Sequence, residues 1–379
     1  MASSHRSRIL IVDDSAAMRS LVRAAVTLDS SCEVAGVAVN GQSALDMVEA
    51  LRPDLILLDV EMPVMDGLAT LRTLRERGHR MPVIMCSSLT QRGARVTLEA
   101  LSAGASDYVA KPSGQDGVTA ALQALSQELG PRIQALTAAS IPRANGPGAP
   151  REVQIHSRAF ANSSPTARPA SAPTVLVIGV STGGPAVLDV LLPALPADFP
   201  LPVLIVQHMP DLFTRFLAER LATRCSLRVQ EAAEGAQVRR GTVHIARGNW
   251  HLEVRAPLRS GQPATLHLNQ APAENHCRPA ADVLFRTAAA AYGAGVLALV
   301  LSGMGHDGLD GCRIIRERGG WVLVQDRSTS AVWGMPGAVA EAGLAERILP
   351  LPAIVPELLR LTRAFQPEAR ELRETAVQE

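Results

Sequence analysis

Short apolar runs that stop at a polar residue and hand over to an amphipathic segment recur along most of this chain. From residue 7 the order is RILIVDDS then MRSLVRAAV, DLILLD then DGLATLRTLRER, PVIMCSS then RGARVTLEALSAG, and DYVAKP then VTAALQALSQEL. Strands alternating with amphipathic helices predict a parallel sheet covered on both faces. The alternation breaks between residues 140 and 173, where six prolines, five serines and four arginines stand against one glutamate. Such a stretch buries too little apolar surface to fold alone. From Thr174 the alternation resumes with VLVIGV, PVLIVQ, VLALVL and WVLVQ, and it runs to about residue 350. The expected class is α/β, with two doubly wound parallel-sheet domains at 7–130 and 174–365. A flexible linker at 131–173 joins them, and a charged tail at 366–379 follows one last amphipathic helix.

At about 100–200 residues per domain, 379 residues accommodate this plan. A net charge of +1 and only 3% aromatic residues argue against the basic, stacking surface that nucleic acid needs. The five cysteines are odd in number and none sits at zinc-finger spacing, which predicts reduced thiols in a cytoplasmic protein. The apolar run before Asp13 is too short for a signal peptide. No stretch reaches the roughly 18 apolar residues of a membrane span, so no direct membrane insertion is expected.

In the first domain the polar residues fall at strand ends. Asp13 and Asp14 follow RILIV, Asp59 follows DLILL, Ser87 follows PVIMC and Lys111 follows DYVA. The carboxyl ends of an open parallel sheet share one rim, where ligands bind. Three carboxylates gathered there repel unless a cation lies among them, and hard oxygen donors suit Mg²⁺. Lys111 is the single lysine among 37 lysines and arginines. Where arginine is the default, a lone lysine marks a need for a compact point charge. An acid after a strand also caps a helix, and for Asp13 alone that reading is equally good. Five such positions on one rim ask for more than capping.

Residues 7–130 resemble the response-regulator receiver domain, which is flavodoxin-like. The resemblance implies that Asp59 accepts a phosphoryl group, with Asp14 and Asp59 ligating Mg²⁺ and Asp13 assisting through water. It adds the backbone carbonyl of Glu61 as a ligand, and Ser87 and Tyr108 as switch residues. The metal and Lys111 would neutralise the incoming phosphoryl group.

The second domain opens with VLVIGVSTGGP, an apolar run ending in a serine among glycines. A Walker-type phosphate loop needs a lysine near its end, and none is present. A plain turn accounts for Gly183, Gly184 and Pro185 but does not require Ser181. Gly179-Val180-Ser181-Thr182-Gly183 also fits G-x-S-x-G, the turn that exposes a nucleophilic serine. A serine needs a base, and the base an orienting acid. Only His208, in PVLIVQHMP, directly follows a strongly apolar strand; His244 and His267 sit inside alternating strands. Asp307, in VLALVLSGMGHDG, is the acid candidate. The order Ser, His, Asp is not the Ser, Asp, His of α/β-hydrolases. GMGHDG with Asp326 further on also matches a dinucleotide fingerprint. Against that, Asp307 would put a carboxylate where pyrophosphate must sit.

IGVSTGGP, VQHMP, LSGMGHDG and QDRSTSAVWGMPGAV, behind a receiver, resemble the chemotaxis-specific protein-glutamate methylesterases over about residues 7–350. The resemblance implies a Rossmann-like three-layer catalytic domain with a triad of Ser181, His208 and Asp307. It places oxyanion donors at backbone N–H groups, Met304 foremost, with Thr182 beside the nucleophile. The implied substrates are glutamyl methyl esters, and certain glutamines, on cytoplasmic parts of chemoreceptors. A chemotaxis histidine kinase is the implied phosphodonor, and the esterase reaction needs no cofactor. The unphosphorylated receiver is expected to cover the esterase cleft. GTVHIARGNWHLEV and NHCRPAADVLF resemble family stretches near the site but suggest no chemistry. Two other readings remain: a receiver driving a DNA-binding output, for which no helix-turn-helix or basic face is present, and a catalytically silent adaptor that only sinks phosphate.

Overall fold

The computed structural model describes residues 6–112, 117–140, 172–257, 259 and 261–363. The first sheet consists of β1 (Ser7–Val12), β2 (Cys32–Ala38), β3 (Leu55–Asp59), β4 (Val83–Ser87) and β5 (Asp107–Ala110). Its order is β2-β1-β3-β4-β5, with every pair parallel. Strands β3 and β4 are buried at every position, as expected of apolar runs covered on both faces. The helices are α1 (Ala16–Thr27), α2 (Gly41–Leu51), α3 (Gly67–Glu76), α4 (Gln91–Ser102) and α5 (Gly117–Ser140). Ser15, Asn40, Asp66 and Thr90 cap the first four by accepting from backbone N–H groups. The chain reverses its winding between β1 and β3, and at such a switch point the strand ends open a crevice.

Helix α5 corrects one expected boundary. It continues through Pro131 to Ser140, so residues 131–140 are helix and not linker. Leu125, Leu129, Ile133 and Leu136 keep one face of it buried. That burial outweighs the hydrogen bond a helix-interior proline removes. The rest of the expected linker, 141–171, and the expected tail lie outside the described residues.

The second sheet takes β6 (Val175–Val180), β7 (Val203–Gln207), β8 (Arg228–Glu231), β9 (Thr242–Ile245), β12 (Val296–Val300), β13 (Trp321–Gln325) and β14 (Arg347–Leu349). All its pairs are parallel, in the order β14-β13-β12-β6-β7-β9-β8. Strands β10 (His251–Arg255) and β11 (Thr265–Asn269) form a separate antiparallel pair. Helices α6 (Gly184–Leu191), α7 (Asp211–Ala222), α8 (Ala281–Tyr292), α9 (Leu309–Glu317), α10 (Met335–Glu341) and α11 (Leu351–Arg363) complete the domain. The winding reverses between β6 and β12, with β7 on the other side of β6. Three neighbouring strands therefore end together. No described helix is long and apolar enough to cross a membrane.

Candidate functional site

At the first switch point, carboxylate oxygens of Asp13, Asp14 and Asp59 lie within 4.8 Å of one another. Lys111 Nζ is 2.7 Å from Asp13 Oδ2 and 2.7 Å from Asp59 Oδ2. Burial raises the Asp59 carboxyl to about 6; Lys111 pulls it down and the Asp13 charge pushes it up. Burial works against the Lys111 charge, but its bonds to the two aspartates hold the ammonium above its usual range. Three acids cluster beside one ammonium that bonds two of them, and every candidate metal donor is a hard oxygen. This set fits a divalent cation of the Mg²⁺ type. The Glu61 backbone turns beside Asp59, its N–H donating to Asp59 Oδ1 at 3.4 Å. Ser87 is fully buried next door, with its hydroxyl donating to the Ser88 carbonyl at 3.2 Å.

At the second switch point Ser181 directly follows β6. Gly183, at φ 77°, is the left-handed residue that starts α6. The Ser181 N–H donates to the Ser302 carbonyl at 3.0 Å, and Gln207 Nε2 donates to the Ser181 carbonyl at 3.0 Å. Gly303 must be small, because a Cβ there would come within 2.9 Å of the Ser181 Cβ. Strand β7 ends at Gln207, so His208 stands next to it on the rim.

His208 Nε2 is 2.7 Å from Asp307 Oδ2. The Asp307 carboxylate also accepts from the Ala281 N–H at 2.6 Å, the Asp282 N–H at 3.1 Å and Asn275 Nδ2 at 3.1 Å. It thus sits on the N-terminus of α8, where a negative charge is favoured. Burial would raise its pKa, but the His208 contact and these N–H donors hold it well below the usual carboxylate range. Burial likewise disfavours the imidazolium, and the bonds to Asp307 and Cys277 outweigh it, so the His208 pKa is raised. Ser181, His208 and Asp307 line one cavity of about 680 Å³. Among the described residues the Ser181 hydroxyl has no hydrogen bond to the imidazole. Because Asp307 engages Nε2, the nitrogen left free of it is Nδ1, which lies 3.6 Å from Cys277 Sγ. Free hydrolase sites often show such loose nucleophile–base contacts.

Met304 and Thr182 line the same cavity. Three other histidines are engaged elsewhere: His244 is buried beside Gln230, His267 is bonded to Glu234, and His251 to the Pro272 carbonyl, whereas His276 and His306 line the same cavity as His208. Asp326 bonds Ser328 and Thr329 in its own loop. Residues that strand-end reasoning missed come from Gln207 and from the stretch NHCRPAADVLF. Asn275 and His276 are consecutive left-handed residues at φ 52° and 62°, forming a tight turn. Asn275 Nδ2 bridges Asp282 Oδ2 at 2.8 Å and Asp307 Oδ1 at 3.1 Å. Burial raises Asp282 to about 6, and the Asp307 charge adds to it. A left-handed Asn signals a turn, but nothing in its spacing ties that turn to the strand ends.

The receiver roofs this cavity. Thr182 Oγ1 donates to Asp107 Oδ2 at 2.8 Å, and Arg132 Nε lies 3.2 Å from the same oxygen. Burial raises the Asp107 pKa despite Arg132. Tyr108 stacks on Phe213 with ring centroids 4.6 Å apart. Helix α4 adds Ser102, which donates to Asp189 at 2.7 Å, and Arg95, whose guanidinium lies 4.1 Å from the Phe216 ring centroid.

Residues 176–358 match the family model for the CheB methylesterase, and residues 9–123 match that for the response regulator receiver domain. A protein-glutamate methylesterase/protein-glutamine glutaminase of a Nocardioides species is 50% identical over 357 residues, covering 93% of this chain and 94% of that protein. A protein of the same name from Trichodesmium erythraeum is 45% identical over 353 residues, covering 93% and 98%. The crystal structure of the Thermotoga maritima CheB methylesterase catalytic domain covers 50% of this chain and 100% of its own, with 40% identity and a TM-score of 0.48. With a receiver module in front and a methylesterase module behind, and with such identity along nearly its whole length, this chain belongs to the protein-glutamate methylesterase/protein-glutamine glutaminase family.

Proposed function

We propose that the chain is a phosphorylation-activated serine esterase that hydrolyses glutamyl methyl esters on chemoreceptors in the cytoplasm and deamidates particular receptor glutamines. The observation that carries this reading is the 2.7 Å His208–Asp307 contact in the cavity that Ser181 also lines. His208 takes the Ser181 proton through Nδ1 as the hydroxyl attacks the acyl carbon. Asp307 holds the tautomer through Nε2 and stabilises the imidazolium. Backbone N–H groups at Met304 and Thr182 receive the oxyanion, where one donor is worth about 2.7–4 kcal/mol. His208 then returns the proton to the leaving methoxide or amine. Methanol or ammonia departs, and water repeats the steps to free the glutamate. No cofactor enters this reaction.

Control lies in the receiver. A histidine kinase supplies the phosphoryl group to Asp59. Asp14, Asp59, the Glu61 carbonyl and, through water, Asp13 would hold Mg²⁺, whose charge offsets that of the phosphoryl oxygens. Lys111 contributes the second positive charge. Ser87 moves toward the phosphoryl group, Tyr108 turns with it, and the stack on Phe213 and the Thr182–Asp107 bond give way. Such a switch needs a free-energy difference between covered and open states that phosphorylation changes.

Methanol release from methylated receptor membranes tests the reading. Wild type is expected to release it and Ser181→Ala to fall to background. Equal release from the two would leave the silent adaptor as the better account.

A further inference from the structure

We propose that His208 and Cys277 form a Zn²⁺ site inside the esterase cavity, and that the bound ion holds the enzyme inactive. Cys277 Sγ lies 3.6 Å from His208 Nδ1. Zinc binds imidazole nitrogen at about 2.0–2.1 Å and thiolate sulfur at about 2.3 Å, so a tetrahedral site needs an N···S edge of about 3.5–3.6 Å. The pair already stands at that spacing. Behind the imidazole, Asp307 Oδ2 engages Nε2 at 2.7 Å. A carboxylate on the far nitrogen is the usual support of a metal-bound histidine, fixing its tautomer and raising its basicity. Asp307 also accepts from Ala281, Asp282 and Asn275, which suits it to that supporting place.

The thiol is positioned by the tight turn before α8, where Glu274 and Cys277 exchange backbone hydrogen bonds at 3.1 and 2.9 Å. Cys277 is half-buried and faces the cavity, leaving room for water or the Ser181 hydroxyl on the remaining coordination positions. A thiolate with an imidazole selects zinc over magnesium. The all-oxygen cluster of Asp13, Asp14 and Asp59 has the opposite preference. Binding expels the thiol proton. The ion then occupies the Nδ1 lone pair that the proposed base uses; this inhibitory role rests on that reading of His208, whereas binding itself does not.

The test uses the full chain with excess Mg²⁺ to fill the acidic cluster. Titration with Co²⁺ should give a thiolate-to-metal charge-transfer band in wild type and in Ser181→Ala, and none in Cys277→Ser. Competition against a chelating dye should show Zn²⁺ affinity at least tenfold weaker in Cys277→Ser and in His208→Gln. Zinc at the same concentrations should stop methanol release by wild type. Equal zinc affinity in wild type and Cys277→Ser, or a cobalt spectrum without the thiolate band, overturns the site. Zinc held through Cys277 with undiminished methanol release overturns the inhibition, and would count against His208 as the base.

Discussion

Asp107, the first residue of the receiver's last strand, accepts a hydrogen bond from Thr182, the residue after the proposed nucleophile, at 2.8 Å. The bond is buried, and Arg132 stands on the same carboxylate oxygen. The receiver and the second domain meet at this one oxygen. A buried hydrogen bond to a charged group contributes about 1.5–3 kcal/mol, so Asp107→Ala should raise basal methanol release roughly tenfold without a phosphodonor. Deleting residues 1–140 should raise it at least as far. A rate that stays flat in both would show that the roof does not restrain the esterase.

Asp307→Asn keeps the volume of the side chain and loses its charge. Turnover should fall roughly 10⁴-fold, as in the template triad, with the Michaelis constant nearly unchanged. Steady-state kinetics on methylated receptor membranes check this, and near-normal turnover removes Asp307 from its assigned role.

The pH dependence has a definite sign. A general base acts in its neutral form, and contacts with Asp307 and Cys277, set against burial, raise the His208 pKa. The rising limb of kcat/KM against pH should therefore lie above the ordinary histidine value of 6.5. In Asp307→Asn the limb should move to lower pH. A wild-type limb at or below 6.5 would contradict the assignment.

Activation should depend on the three-acid cluster. In Asp59→Asn a small-molecule phosphodonor should no longer increase methanol release. EDTA should abolish the increase in wild type, since clustered carboxylates cannot accept a phosphoryl group without a cation to offset its charge. A rise that survives both treatments would place the switch elsewhere.

Much of this was legible in the sequence because the sheets are parallel. Polar residues placed after apolar runs must share a rim, so Asp13, Asp59 and Lys111 on one sheet, and Ser181, His208 and Asp307 on the other, could be grouped before any coordinates. Three things were not legible. Helix α5 runs past Pro131 because Ile133 and Leu136 find an apolar surface to cover, which depends on tertiary packing. Asn275 and Cys277 reach the site by a left-handed turn, whose direction no spacing rule carries, and Asp282 follows it at the start of α8. The contacts of Tyr108 with Phe213 and of Asp107 with Thr182 join distant segments, and a half-polar strand such as DYVA does not announce what will lie on it.

Residues 208 and 307 are separated by 99 positions, yet each stands just past one of the two strands that flank β6. Adjacent strands lie about 4.8 Å apart whatever the chain does between them. The intervening hairpin and helices could lengthen or shorten over evolutionary time while the spacing of His208 and Asp307 stayed anchored to the sheet. The ruler between these two side chains is the backbone ladder itself, and the loops are free to be rewritten around it.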